Sequence, residues 1–545
     1  MFDLLITGGT LVDGTGAAAR VADAGVRQDR IAAIGDLSAA EARRRIDATG
    51  LVVAPGFIDA HAHSDAYLLL EPDAPSKLAQ GITTEINGQC GGSAVPRLGQ
   101  ARLSSDWASH VYPQLDEARR TVSRSASAGP TWTTVADYRA LFDAVRPALN
   151  TVQFIGHNTL RAGVMGYAPR AADPADLQAM LRNLEQALDE GGWGLSTGLL
   201  YQPGKYAEEG EIYALVRATA AQGGLYATHM RSEGEYLLES ISDVLELARR
   251  TGIRAQISHL KTAGLTNWHK IEAVLEQINA ARAAGVPVHS DRYPYTASGT
   301  DLDVVLPDWA SAGGRDAILA NLRDPATRGR IVDELNDRGR DWMSVMIGGG
   351  WSERVRAFSG RTLADAADTL HLTPGETVCR FVEADETRTG AFFFGMSMEN
   401  LRRIYAQPWV MPGSDASLRA PWGPLGLDHP HPRAYGTMPR YLRLMTGLVP
   451  GFAALCGIEE AVRRMTALPA QVFGLRGRGV LRVGAFADIV VFDPQLFTDS
   501  ATYAQPHQFA QGMRHVIVNG ALAYSEGTFT GIRRGRFLER EAEKA

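Results

Sequence analysis

Cysteine is scarce in this chain: 3 residues in 545, at positions 90, 379 and 456. Their odd number and wide separation exclude a disulfide framework. Long apolar runs are missing too. No stretch approaches the roughly 18 consecutive apolar residues of a membrane span, so no membrane partner is expected. Positive charge is not in excess: 55 Lys and Arg stand against 61 Asp and Glu, a net charge of −6. That balance carries no electrostatic footprint for nucleic acid. The short basic runs Arg43, Arg44, Arg45 and Arg533, Arg534, Arg536 read as solvated faces. The opening Met1-Phe2-Asp3 lacks a basic n-region. This argues against a secretory signal and makes the cytoplasm the simplest compartment. There is no repeat of fixed period, and these patterns specify no oligomeric state.

What is present is an ordinary globular composition, 45% hydrophobic and 21% charged. At about 150 residues per domain the length suggests three to four units, but α/β barrels run to about 250 residues or more as one domain. Both ends read as short strands broken by turn dipeptides such as Gly8-Gly9 and Asp13-Gly14. The middle alternates apolar strands, at 56–63, 82–87, 152–157, 194–200, 225–229, 254–259, 286–291 and 409–414, with helical stretches such as 171–190 and 235–250. The expected fold is α/β: a (β/α)8 TIM barrel with a small β-sandwich domain composed of both termini. Its parts are 1–54 and 476–545, which build the composite β domain and a tail, and 55–475, the barrel. Insertions are expected near 98–148 and 300–345, and the second is a candidate lid.

Chemistry-bearing residues collect at the ends of these strands. Gly56-Phe57-Ile58-Asp59-Ala60-His61-Ala62-His63 places two histidines two apart, which on a strand face the same way. His229 and His259 close two further strands, and Asp415 follows another. In a parallel barrel these ends form the catalytic mouth. Imidazoles and a carboxylate converging there are a ligand set for zinc or a similar metal. His157, His289 and His431 also fall near strand or loop ends and read as supporting residues.

Taken together, these motifs resemble the amidohydrolase superfamily. Within it the chain looks most like the D-aminoacylases, the N-acyl-D-amino-acid deacylases. The resemblance rests on the His61–His63 motif, Gln80-Gly81-Ile82-Thr83-Thr84 leading to Cys90-Gly91, Thr228-His229-Met230-Arg231, Ser258-His259-Leu260-Lys261, Tyr293-Pro294-Tyr295, Gly413-Ser414-Asp415 and His431-Pro432-Arg433. It extends over nearly the whole chain. Many amidohydrolases bridge two metals with a carboxylated lysine at the fourth strand, but here that strand ends Ser196-Thr197-Gly198 with no lysine. Cys90 occupies the place of the cysteine that D-aminoacylases use instead.

The resemblance implies a tight zinc held by Cys90, His229 and His259, and a weaker second site at His61, His63 and Asp415. It implies hydrolysis of the amide bond of N-acyl-D-amino acids by metal-activated hydroxide, with Asp415 as general base and then acid. The small-molecule substrate carries a carboxylate, and Lys261, Arg433 and Tyr293 form the expected clamp, with Tyr201 lining the pocket. The preference for D substrates comes from the resemblance alone. Gln89 beside the cysteine, Ser232 after Arg231, Ala416 after Asp415 and Gly299 depart from the family's usual residues and bear on substrate identity. The alternatives are a cyclic-amide hydrolase of the dihydroorotase or hydantoinase kind, a hydrolase of another carboxylate-bearing amide, and a scaffold that has lost its chemistry. The bridging lysine typical of the cyclic-amide enzymes is absent. The retained ligand set argues against the scaffold.

Overall fold

The computed structural model describes residues 1–101 and 132–540. The Ser/Ala-rich part of the expected 98–148 insertion and the last residues of the tail lie outside these. Among the described residues, the centre of the protein is made of parallel strands. One sheet pairs Phe57–Asp59, Ile82–Asn87 and Asn150–Gln153. A second runs Ile155–Gly156, Gly194–Gly198, Leu225–His229, Arg254–Ile257, Val288–Arg292 and Val410–Pro412, every neighbouring pair parallel. The two sheets are joined on one side by Phe154 N donating to Asn87 O at 2.9 Å. On the other side, Asp415 N donates to His61 O at 2.8 Å and Ala62 bridges Ala416 in parallel. The strands are buried on both faces, although several, such as Ile82–Asn87 and Asn150–Gln153, carry polar residues beside the apolar ones.

Helices pack between successive strands for reasons visible in their residues. Asp173 caps Pro174–Asp189 in a reciprocal box with Asp176, and Pro174 sits at the first helical position, where its missing N–H costs nothing. Leu237–Thr251 buries Leu237, Ile241, Val244 and Ala248, a stripe of period near 3.6, and Arg249 and Arg250 lie at its negative end.

The two ends of the chain meet. A seven-stranded sheet contains Thr10–Leu11, Arg20–Val21 and Val52–Pro55 from one end and Ile489–Phe492, Met513–Val518, Ala521–Ser525 and Thr528–Phe529 from the other. The junction is the antiparallel pair of Val52–Pro55 with Ile489–Phe492. Leu4, Ile6 and Val26 of a separate four-stranded sheet share an apolar cluster with Val53, Ile489, Val491 and Ile517.

The inserted segment expected at 300–345 is larger than its sequence suggests. Ala297–Asp301, Val345–Ile347 and Gly390–Phe394 form one antiparallel sheet with the last strand in the middle. A cluster from Leu302 to Ala391, including Ile318, Ile331, Val378 and Phe381, gives this segment its own core. The central strand comes last in the chain, so local turn signals near 345 do not mark the end of the unit.

Candidate active site

The sequence motifs converge on one cavity of about 1230 Å³ at the C-terminal ends of the parallel strands, walled on one side by the 297–394 segment. The ligand atoms of His61, His63, Cys90 and Asp415 lie within 4.8 Å of one another, as do those of Cys90, His229 and His259. All six expected ligands are therefore brought together, and Cys90 belongs to both groups. Cys90 Sγ is 3.3 Å from His61 Nε2 and 3.3 Å from His259 Nε2. Asp415 Oδ1 is 3.1 Å from His63 Nε2 and 3.3 Å from His61 Nε2.

Backbone geometry puts these side chains there. The strands stop before the functional residues, at Asp59, Ile257 and Pro412, so His61, His63, His259 and Asp415 sit on the loops just beyond. His229 is the exception and ends its strand. Cys90, His259 and Asp415 have φ of 53°, 39° and 49°, a region that disfavours residues with a Cβ. Such conformations at three of the expected ligands persist only where the surroundings enforce them. The Cys90 loop presses backbone to backbone on the fourth-strand end. A Cβ on Gly198 would lie 2.0 Å from Cys90 O, and one on Gly91 would lie 2.5 Å from Gly198 N. The cysteine loop thus fills the space beside that strand end.

Electrostatics follow from burial and pairing. Burial pushes the Cys90 thiol up, but His61 and His259 outweigh it and hold the thiol well below its usual range. Burial and Lys261 pull His259 down, yet Glu233, Cys90 and Asp415 push it up to about 10. Burial raises Asp415, and Arg433 with His259 and His61 holds it well below the ordinary carboxylate range. His229 differs: both ring nitrogens are buried without a hydrogen-bond partner. A buried imidazole whose two nitrogens make no hydrogen bond is costly unless something binds it. With His259 and Cys90 it makes a donor set of two imidazole nitrogens and one sulfur, suited to zinc.

The expected substrate residues line the same cavity. Arg433 Nη1 donates to Asp415 Oδ2 at 2.7 Å. Its guanidinium stands 4.7 Å over the Tyr293 ring, which also has the cations Arg292 at 4.0 Å and Lys261 at 5.8 Å beside it. The Tyr293 hydroxyl has no partner. Tyr201 meets His229 edge to face at 4.8 Å. Of the other histidines, His157 pairs with Glu211 at 2.7 Å, while His431 lines the cavity and bonds Ala297 O at 3.0 Å.

Two acids escaped the sequence reading. Glu233 pairs with Lys261 and lies 2.8 Å from His259 Nδ1 and 3.7 Å from His229 Nε2. Lys261, expected in the carboxylate clamp, is already paired with an acid. Asp291 lies 3.1 Å from His61 Nδ1 and accepts from His259 N at 3.0 Å. Neither belongs to a spacing motif. Asp291 closes the predicted strand 286–291, a strand-end signal that could have marked it, whereas Glu233 lies in the loop after His229 and only its charge could have done so.

The amidohydrolase family matches residues 44–348 and 397–524. The chain belongs to the amidohydrolase family. This amidohydrolase is 38% identical to the D-aminoacylase of Alcaligenes xylosoxydans xylosoxydans, over 99% of this chain and 98% of that one. It is 37% identical to the N-acyl-D-glutamate deacylase of the same organism, over 100% of this chain and 98% of that one. A crystal structure of N-acyl-D-glutamate deacylase from Bordetella bronchiseptica, complexed with zinc and a phosphonate mimic of the tetrahedral intermediate, superimposes with a TM-score of 0.80 at 36% identity, covering 99% of this chain and 100% of that one.

Proposed function

We propose that this amidohydrolase is a zinc-dependent deacylase of N-acyl-D-amino acids. The observation that carries the reading is His229, whose two buried nitrogens make no hydrogen bond and stand beside Cys90 and His259. In this reading Cys90, His229 and His259 hold the tight zinc, and His61, His63 and Asp415, with Cys90 shared, form the weaker site. Bound there, zinc would act as a Lewis acid and bring the pKa of water down to about 7.

Asp415 takes the proton of the attacking water and returns it to the departing amine nitrogen. Its two oxygens divide the work: Oδ1 faces His61 and His63, and Oδ2 is held by Arg433. Arg433 and the Tyr293 hydroxyl orient the substrate carboxylate, with Lys261 adding its charge through the Glu233 pair. Tyr201 packs beside the reacting amide. The absence of a lysine at Ser196-Thr197-Gly198 weighs against a cyclic-amide hydrolase. We read the parallel strands as the staves of a (β/α)8 barrel, 1–54 with 476–545 as one β-sandwich domain, and the 297–394 segment as a cover over the pocket. A ligand thiolate suits a reducing compartment, so the cytoplasmic placement stands as part of this proposal.

The test is metal analysis of the purified protein paired with a panel of N-acyl D- and L-amino acids and small cyclic amides. Zinc retention with turnover confined to N-acyl-D-amino acids is expected. Turnover of the cyclic amides, or of neither class, overturns the assignment.

A further inference from the structure

Lys77 is fully buried on the short helix Pro75–Leu78 and does not line the cavity. Its ammonium donates to Asp59 Oδ2 at 3.0 Å, Ser414 Oγ at 3.0 Å and Ala416 O at 3.0 Å, and pairs with Glu85 Oε1 at 2.8 Å. Ser414 and Ala416 flank Asp415. Asp59, held by Lys77, accepts from Ser414 N at 2.7 Å, from Ser414 Oγ at 2.5 Å and from His61 N at 3.3 Å. One buried ammonium therefore ties the segment bearing His61 and His63 to the segment bearing Asp415, and grips the chain on both sides of Asp415 from a third element.

The grip has a reason. Asp415 has φ of 49°, and such a conformation persists only where its surroundings enforce it. A buried cluster of one ammonium and two carboxylates is a weak source of stability compared with apolar residues of the same volume. Its value lies in placement. We propose that Lys77 is a positioning residue for Asp415, fixing where that carboxylate sits relative to His61, His63 and Arg433 without reaching the substrate. The inference rests on Asp415 as the proton carrier of the reaction proposed above.

The experiment uses Lys77→Met, which keeps the side chain's length and removes its charge. A misplacement of about 1 Å costs about 10²-fold in rate. The expected result is a kcat loss of about 10²-fold on an N-acyl-D-amino acid, with KM within about twofold of the parent. The tight zinc expected at Cys90, His229 and His259 should be retained after dialysis, since none of those residues bonds to Lys77. In the metal-free protein, hydrogen exchange should accelerate at 412–418 and stay unchanged at 225–229. An unchanged kcat, or exchange rising equally throughout while kcat per folded molecule holds, overturns the proposal. Ser414→Ala, which removes one hydroxyl of the grip, is the second variant should Lys77→Met not fold. A kcat loss of about tenfold with the same local exchange is expected there, and no change in either is the refuting result. The parent and Asp415→Asn serve as controls. A parent without turnover, or an active Asp415→Asn, marks failure of the underlying reading, whereas a fully active Lys77→Met beside an inactive Asp415→Asn marks failure of this inference alone.

Discussion

Replacing Glu233 by Gln separates charge from shape at the metal group. Glu233 Oε1 is 2.8 Å from His259 Nδ1, and its carboxylate also pairs with Lys261. Lys261 Nζ itself stands 2.7 Å from the same Nδ1. An ammonium only donates, so a protonated Nδ1 can bond only to Glu233. When His259 Nε2 ligates a cation, Nδ1 keeps its proton and donates a hydrogen bond to Glu233, which orients the ring and raises its basicity. Losing such an outer partner costs about 10- to 100-fold in metal affinity, or about 1.4–2.7 kcal/mol. Gln keeps one acceptor oxygen and the volume, so the loss should lie near the tenfold end, and Ala should approach the hundredfold end. Ala carries a second cost: it leaves Lys261 buried without a counter-charge, and breaking a buried pair destabilises by about 3–5 kcal/mol. Gln is therefore the cleaner variant. The assay is zinc titration against a competing chromophoric chelator, with thermal melting of the metal-free protein alongside. A zinc affinity within about threefold of the parent would refute a role for Glu233 in presenting His259.

Cys90 contributes to both ligand groups, so Cys90→Ala should strip zinc from both on dialysis, and full metal content would exclude the thiolate as ligand. Arg433→Ala should lower the ratio of kcat/KM between an N-acyl amino acid and its carboxamide analogue by about 10- to 100-fold, since hydrogen bonds to a charged group contribute about 1.5–3 kcal/mol. The ratio cancels the shared effect of freeing Asp415, so an unchanged ratio would rule out the carboxylate clamp. Zinc uptake should release protons at neutral pH. His259 is pushed up to about 10, and His61 and His63 are also raised, because burial, which lowers them, is outweighed by neighbouring anions. Ligation needs neutral imidazoles, so affinity rises with pH below those values; calorimetry in buffers of different ionisation enthalpy should show this, and an affinity flat between about pH 6 and pH 8 would contradict it.

The alternation of strand and helical stretches was legible because the strands are short runs bounded by turn residues, whereas the helices carry an apolar stripe of period near 3.6. The run 225–229 coincides with the strand Leu225–His229, and 171–190 encloses the helix Pro174–Asp189. Less legible were strand ends near the site. The run 56–63 is a strand only over Phe57–Asp59, since beyond it the chain leaves the ladder to present His61 and His63. The extent of the inserted unit was hidden because its central strand, Gly390–Phe394, follows both of its neighbours in the chain.

What the amino-acid order alone determined is the inventory: histidines and an aspartate at strand ends, a lone cysteine in a glycine-rich loop, and no lysine on the fourth strand. These are local facts, set by spacing and residue chemistry. Tertiary structure alone decided that Cys90 lies within reach of both candidate ligand clusters, that Lys261 and Arg433 come already paired with Glu233 and Asp415, and that Lys77 grips the loop around Asp415. Each of these depends on charges brought together from distant parts of the chain, and their interaction depends on distance and burial, which no sequence period encodes.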